Sequence, residues 1–214
     1  MLNNKPHKFF DTYLDNNLDD LNKFLLQKKH ELFMAQVPGV GIDQIKFAGD
    51  EYSLTQNPQK LDMFYNIFQF SNESIYNLYK ALRNLTKEAC EYYEIDYFKN
   101  KYMIHGWFNV DAKKDFNKDT ALYHDHSDGK GAPYFHGYYC VNAEPSSTFY
   151  NINKKNPFEN INKNNRAILS ETGHPHAIGG FDFGHERITI AYDITPLELI
   201  LGGGYAEQIW IPLG

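Results

Sequence analysis

The hydrophobic pattern of this chain changes its period near residue 99, and that change limits the fold more than any other feature of the sequence. Before it, apolar residues recur at helical spacing, most clearly from Glu73 to Tyr93, where Ser71 or Asn72 can cap the first turn. After it, apolar and polar residues alternate in short runs, which predicts half-buried strands. The predicted strands cover residues 102–110, 121–128, 136–143, 147–152, 167–172 and 187–194.

Short strands separated by Gly, Pro, Asn and Asp are typical of a jelly roll, and the helices before them are expected to pack on one of its sheets. We therefore predict an α+β fold in which a double-stranded β-helix follows N-terminal helices. At 214 residues the chain suits one domain, with a helical support region at 1–99, the jelly roll at 100–195 and a C-terminal tail at 196–214. The long polar segment from Asn153 to Asn165 is predicted to be either disordered or a lid.

Composition excludes several classes of function. Hydrophobic residues make up 42% of the chain, yet no run of them approaches the ~18 residues that a membrane span needs. The polar N-terminus lacks a secretion signal, and two cysteines cannot form a disulfide framework, so we expect a reduced, cytoplasmic protein. A net charge of −6 with scattered lysines argues against a nucleic-acid partner.

Histidines are concentrated in the strand-rich region, where seven of the nine lie between His105 and His185. His126 and Asp128 are two residues apart on a predicted strand, so both side chains project from one face. Together with an imidazole from a distant strand, such as His176, they would form the facial triad that suits O2-activating Fe(II). Three other histidines of this region are interpreted as core-packing or surface residues: His105, His136 and His185.

An arginine follows the third candidate metal ligand, His176, at a separation in sequence that suits a second binding group of the same site. Arg187 is one of only three arginines and lies eleven residues after His176. On a strand Arg187 and Thr189 share a face, and a guanidinium with a hydroxyl suits the distal carboxylate of a dicarboxylic acid. The plainer interpretation is that Arg187 pairs with a nearby carboxylate such as Glu186 or Asp182.

Taken together, these motifs resemble the signature of the Fe(II)/2-oxoglutarate-dependent oxygenases, in their prolyl-hydroxylase-like branch. The signature elements are His126-x-Asp128, then His176, then Arg187-x-Thr189. In addition, the segment His-Gly-Tyr-Tyr-Cys-Val at 136–141 looks like a strand of that branch, and Trp-Phe-Asn-Val at 107–110 resembles the strand that opens the barrel in phage and bacterial members. The resemblance covers about residues 102–193.

The resemblance implies an oxygenase that couples the decarboxylation of 2-oxoglutarate to the oxidation of a small-molecule or peptide substrate by O2, most typically a hydroxylation. Fe(II) would be bound by His126, Asp128 and His176. The groups implied for 2-oxoglutarate, or for support around it, are Arg187, Thr189, Tyr139 and Asn109. Since Tyr138 and Tyr139 point to opposite faces of a strand, only one of them can line the pocket, and the analogy selects Tyr139.

Two further interpretations stay open. His124 lies on the same face as His126, so these two with His176 would make a three-histidine site of a cupin-type metalloenzyme that does not use 2-oxoglutarate. His174 could also replace His176, although its distance from Arg187 fits less well. A third possibility is a non-catalytic jelly-roll binding module whose histidines do not meet.

Overall fold

The computed structural model describes residues 5–34, 65–111, 123–126, 135–152, 157–180, 184–202 and 208–214. These residues form two antiparallel sheets and a few helices, which confirms the α+β class. The helices are α1 (Leu18–Met34), α2 (Glu73–Tyr92) and the short α3 (Leu197–Leu201), with single 3-10 turns at Ile67–Gln69 and Tyr97–Lys99. None of the helices among the described residues is long and apolar enough to cross a membrane.

Helix α2 forms as its sequence predicts. The side chain of Asn72 caps it by accepting a hydrogen bond from the backbone N–H of Ile75 at 3.2 Å, so Asn72 and not Ser71 is the N-cap residue. Residues spaced by three and four then bury one face against the large sheet: Ile75, Leu78, Leu82, Leu85 and Ala89. The opposite face carries the charged residues.

In chain order the strands are β1 (Phe10–Tyr13), β2 (Tyr102–Asp111), β3 (Phe135–Asn142), β4 (Ser147–Tyr150), β5 (Phe158–Ile161), β6 (Arg166–Glu171), β7 (His176–Ile178), β8 (Arg187–Pro196) and β9 (Ile211–Pro212). The large sheet has the order β1-β6-β3-β8-β2-β9 and the small sheet the order β5-β4-β7. At the free side of β7, His124 forms an isolated antiparallel bridge with His176. The chain therefore passes repeatedly between the two sheets.

Five of the six predicted strands correspond to strands of the structure, whereas the sixth, 121–128, does so only through that bridge, because just 123–126 are described. The prediction for 153–165 is wrong in part, since residues 158–161 form β5. This edge strand carries polar residues on both sides and buries only Asn160, so it lacks an alternating apolar pattern. The tail predicted at 196–214 also contributes structure: β9 pairs with β2, and Leu213 is fully buried.

The large sheet is buried on both faces. On β8, the even-numbered residues from Ile188 to Ile194 pack into the core that the helices share, while the odd-numbered residues from Arg187 to Asp193 face the small sheet. Every residue of β8 is buried as a result. One face of the strand thus belongs to the core, and the other is available for a site between the sheets.

Gly137 allows the central strands to approach closely. A Cβ at this position would lie 1.9 Å from the carbonyl oxygen of Ile168, so any other residue would push β3 away from β6. Tyr192 on β8 is the residue paired with Gly137, and its hydroxyl donates a hydrogen bond to the same carbonyl oxygen at 2.8 Å. This contact fixes the position of β3 beside His136 and Tyr138, whose side chains project from the opposite face of the strand.

Candidate metal centre and its pocket

A cavity of about 280 Å³ lies between the two sheets. Its walls carry imidazoles near the C-terminal half of β8 and Arg187 and Thr189 near the start of that strand. One cavity is thus lined both by potential metal ligands and by a cationic side chain. We call these two parts of its wall the metal-binding end and the cationic end.

Three imidazoles gather at the metal-binding end. The potential ligand atoms of His124, His126 and His176 all lie within 4.8 Å of one another. Backbone hydrogen bonds in both directions, at 3.1 and 2.8 Å, join His124 to His176 at the edge of the small sheet. The ring of His176 lies 4.5 Å from that of His124 and 5.3 Å from that of His126, between centroids.

Two residues behind this group complete the cluster. The ring of His136 stacks on that of His126 with centroids 3.6 Å apart. The Asp193 carboxylate then holds the Nδ1 atoms of both rings, at 2.7 Å for His136 and 3.2 Å for His126. The same three residues form a second possible metal-binding group. His136, interpreted from the sequence as a packing or surface residue, is therefore buried inside the imidazole cluster.

Burial sets the charge state of the cluster. Burial and the neighbouring His126 lower the pKa of His136 to about 4, although Asp193 opposes the shift. The pKa of His176 is also well below its usual value, because the ring is buried and three other imidazoles surround it. Burial alone would raise the pKa of Asp193, but the two imidazoles beside it outweigh that effect and keep it ionised. Neutral imidazoles are the form that binds a metal ion.

The donor set and spacing fit a transition-metal ion. Two ligands that each lie about 2.1 Å from one ion are about 3.0–4.2 Å apart. The nitrogens of His124, His126 and His176 already lie within 4.8 Å of each other, so small side-chain rotations suffice to close the site. Asp128, the predicted carboxylate ligand, lies outside the described residues.

Arg187 is held firmly at the cationic end. Its side chain is 2% exposed, Nε donates to Ser146 Oγ at 3.2 Å, and Nη1 forms an ion pair with Asp111 at 3.1 Å. The plainer interpretation of the sequence thus also applies, with Asp111 as the partner, while Glu186 pairs with Lys29. These bonds hold the planar guanidinium in a fixed orientation.

Polar groups beside Arg187 suit an anionic ligand. Thr189 accepts a hydrogen bond from the Asn109 amide at 3.4 Å, which leaves the threonine hydroxyl hydrogen to be donated elsewhere. The amide oxygen Oδ1 of Asn109 is buried without a hydrogen-bond partner, and because it can only accept, it calls for a donor such as a hydroxyl or water and not for a carboxylate oxygen. A buried polar atom of this kind on a cavity wall is normally satisfied by a ligand or water.

The structure corrects the choice between the two tyrosines of β3. Tyr138 lines the cavity, whereas Tyr139 faces the helices, where its hydroxyl bonds with Asn16 and Asn165. Burial raises the pKa of Tyr138 well above its usual value, so it stays a neutral donor.

The two histidines around the start of β7 lie in different surroundings. His174, the proposed replacement for His176, does not line the cavity, and its Nε2 lies 3.3 Å from Glu171. His176 begins β7 and points into the imidazole cluster. Sequence reasoning found His176 by its distance from Arg187, and it missed His136 and Asp193, which pair directly across β3 and β8.

No protein-family model and no curated protein sequence matches the chain. Among solved structures, it matches a 2OG-Fe(II) oxygenase family oxidoreductase from Burkholderia pseudomallei with 16% identity and a TM-score of 0.43, covering 57% of each chain and so less than two thirds of that protein. A protein from Shewanella oneidensis provisionally described as an oxygenase matches with 10% identity and a TM-score of 0.49, over 91% of this chain and 84% of that one. A protein from Caulobacter crescentus, provisionally placed in the 2OG-Fe(II) oxygenase family, matches with 11% identity and a TM-score of 0.44, over 88% and 77%. Two of these three descriptions name the 2OG-Fe(II) oxygenase family, and the third names an oxygenase.

Proposed function

We propose that this chain is an Fe(II)- and 2-oxoglutarate-dependent oxygenase, and specifically a hydroxylase, that acts on a small-molecule or peptide substrate. The observation that carries the proposal is that a single cavity contains both an imidazole cluster and the pair Arg187 and Thr189. Metal binding and dicarboxylate binding would therefore take place within reach of each other. At about 280 Å³, near the lower end of the usual range for ligand pockets, the cavity suits a small acid.

The strand order supports a double-stranded β-helix for this proposal. From β2 onward the chain crosses repeatedly between the sheets, with β2, β3, β6 and β8 in the large sheet, β7 in the small one, and β4 and β5 as a hairpin within the small one. His124 adds the segment between β2 and β3 to the edge of the small sheet. In this arrangement ligands from the small sheet face the inner surface of the large sheet.

The metal would be held by His126, Asp128 and His176. When bound, Fe(II) would activate O2. Decarboxylation of 2-oxoglutarate to succinate and CO2 would be coupled to oxidation of the substrate. Asp193 has a positioning role, because its bond to Nδ1 of His126 fixes the ring and directs Nε2 toward the metal position. His136 supports the same carboxylate from the other side.

The dicarboxylate would be bound through its distal carboxylate by Arg187 and Thr189. The guanidinium supplies the charge and a planar pair of donors, and its bonds to Ser146 and Asp111 fix its orientation before a ligand arrives. Tyr138 adds a neutral donor from β3. These groups are buried, so water competes little for the ligand.

A second candidate function is a three-histidine metalloenzyme that does not use 2-oxoglutarate. The close grouping of His124, His126 and His176 favours it, since these three histidines could hold a metal ion without a carboxylate ligand. The ion pair of Arg187 with Asp111 favours it too, because that pair gives the arginine a structural reason to be there.

A spectrum of the loaded protein separates the two candidates. With O2 excluded, Fe(II) and 2-oxoglutarate added together should give a weak visible absorption band, because a keto acid bound to the iron supplies an acceptor orbital. Neither addition alone should do so. A protein that binds Fe(II) but never develops this band with 2-oxoglutarate supports the three-histidine enzyme instead.

Parallel substitutions decide whether Asp128 or His124 binds the metal together with His126 and His176. We expect Asp128→Ala to abolish most of the Fe(II) affinity, and His124→Ala to reduce it by only about 10–100-fold, as for a residue near the metal that does not bind it directly. Metal affinity is measured by titration of the metal-free protein. The reverse ranking would assign His124 as the ligand and favour the second candidate.

A further inference from the structure

We propose that His7, Glu171 and His174 form a second metal site, which binds a divalent transition-metal ion such as Zn²⁺ and lies outside the pocket described above. The potential ligand atoms of the three residues all lie within 4.8 Å of one another. None of the three lines the cavity between the sheets. The proposal is independent of the proposed function, because it involves no residue of the imidazole cluster.

Three separate parts of the chain meet at this site. His7 precedes β1, Glu171 ends β6, and His174 lies in the connection from β6 to β7. Glu171 Oε1 is 3.6 Å from His7 Nδ1 and 3.3 Å from His174 Nε2, and the two imidazole rings lie 4.2 Å apart between centroids. Glu171 pairs with Phe135, which belongs to the helix-side core, so the cluster and the pocket lie toward different faces of the large sheet.

His7 is the residue that points most directly to a ligand. Its side chain is only 7% exposed, and both of its ring nitrogens are buried without a hydrogen-bond partner. Buried polar side-chain atoms are nearly always paired, and an imidazole that lacks such a partner is placed as a metal ligand would be. The ring is held against Phe9 at 4.7 Å and His174, so it cannot turn to solvent without breaking these contacts.

Glu171 provides the charge that a cation would balance. Its side chain is 2% exposed, and an ionised carboxylate at such depth requires positive charge beside it. Either a protonated imidazole or a metal ion can supply that charge. A divalent ion would at the same time bind a ring nitrogen of His7. Protonation would instead add an N–H donor that itself needs an acceptor.

The donor chemistry selects the class of ion. Two imidazoles and one carboxylate are the ligand types that Zn²⁺ and related first-row ions prefer, whereas Ca²⁺ and Mg²⁺ prefer oxygen ligands. A water molecule would fill the remaining position of a tetrahedral ion. The ion would join the N-terminal segment to the connection that leads, two residues later, into the pocket residue His176.

The test removes the pocket cluster first, so that only the second site is counted. The full chain with His124→Ala and His126→Ala is made metal-free, and zinc retained after desalting is measured together with the melting temperature. We expect one zinc ion per chain and a melting temperature that rises with zinc concentration, as ligand binding to the folded state requires. Because the pocket is disabled, a failure of the proposed function would not alter this result.

Two further variants in that background test the ligands. His7→Ala should weaken zinc binding by more than the ~10–100-fold that loss of an outer partner costs, and should abolish the shift in melting temperature. His174→Ala should do the same and serves if His7→Ala does not fold, since His174 is less buried. His30→Ala, which removes an exposed histidine of α1, is the matched control and should retain the zinc.

The outcomes are distinct. One zinc ion per chain that His7→Ala or His174→Ala removes and His30→Ala keeps supports the site. A background variant that binds no zinc, or zinc that persists undiminished in both His7→Ala and His174→Ala, overturns it and leaves the cluster as a packing contact of two imidazoles with Glu171.

Discussion

The two faces of the large sheet are equally buried but differ in what they bury. The helix-facing side chains of β8 are Ile188, Ile190, Tyr192 and Ile194, and the pocket-facing side chains are Arg187, Thr189, Ala191 and Asp193. Both sets are at most 6% exposed. Burial alone therefore does not separate core from site in this protein, whereas polarity at alternate positions does.

This difference has a physical reason. Apolar side chains gain free energy from burial without needing specific partners, so the helix-facing set stabilises the fold. Polar side chains lose hydration on burial and must be paired, so a run of them on an inner face indicates either a network or a ligand. Here the pocket-facing polar residues of β8 are paired with side chains of other segments, as Arg187 is with Asp111 and Asp193 is with His136. We expect substitutions on the two faces to have separable effects.

The largest effect should come from the helix-facing set. Ile190→Ala leaves a cavity in the fully buried core, so it should reduce the free energy of unfolding by about 2–5 kcal/mol. For a chain of this size that lowers the melting temperature by about 4–20 °C. Calorimetry measures the loss, and titrations below the new melting temperature should show unchanged affinity for Fe(II) and 2-oxoglutarate. Weakened binding in the folded variant would contradict the separation of the two faces.

Next comes Arg187→Ala on the pocket face. Deletion of one partner of a buried ion pair costs roughly 2–5 kcal/mol, so the variant should need about thirtyfold or more 2-oxoglutarate. Fe(II) affinity should barely change, and Arg187→Lys should restore binding only in part, because it keeps the charge and loses the planar fork.

Asp111→Asn is the matched control for the arginine, because it removes the other half of the ion pair. If Arg187 binds the cosubstrate, Asp111→Asn should alter the 2-oxoglutarate requirement much less than Arg187→Ala does. Equal effects of the two variants, or turnover by Arg187→Ala at an unchanged 2-oxoglutarate concentration, would show that the arginine is structural.

A smaller effect is expected for Asp193→Asn, which keeps the shape and removes the charge that holds two imidazoles. As a positioning residue, Asp193 should contribute about 10–100-fold to Fe(II) affinity, with no change in 2-oxoglutarate binding once metal is saturating. Isothermal titration of the metal-free protein checks this. A much larger loss would mean that Asp193 is itself a ligand, together with His126 and His136, and no loss would remove it from the site.

The sequence predicts much of this architecture because the decisive elements are long and periodic. Helix α2 and strands β2, β3 and β8 each show enough repeats to be recognised, whereas β7 has three residues and follows Pro175, so no alternation can appear. Spacing singles out His126, His176, Arg187 and Thr189, and the family resemblance singles out Asn109; all five line the cavity.

The residues that sequence reasoning missed depend on pairing between distant strands. His136 and Asp193 meet because β3 and β8 align them directly, and no local pattern specifies that register. The cluster of His7, Glu171 and His174 likewise joins the N-terminus to residues far along the chain. Such sites require the topology of the sheet, which short-range patterns do not contain.

The smallest effects should distinguish Tyr138 from Tyr139, adjacent residues that face opposite sides of β3. A hydrogen bond contributes about 1 kcal/mol net, so Tyr138→Phe should weaken 2-oxoglutarate binding about fivefold and leave the melting temperature nearly unchanged. Tyr139→Phe should do the opposite, because its hydroxyl bonds with Asn16 and Asn165 on the helix side, and it should lower stability by about 1 kcal/mol without affecting binding. Paired titration and thermal unfolding of the two variants measure both quantities. A 2-oxoglutarate defect in Tyr139→Phe with normal binding by Tyr138→Phe would restore the assignment that the sequence analogy favoured and contradict the face on which the structure places each ring.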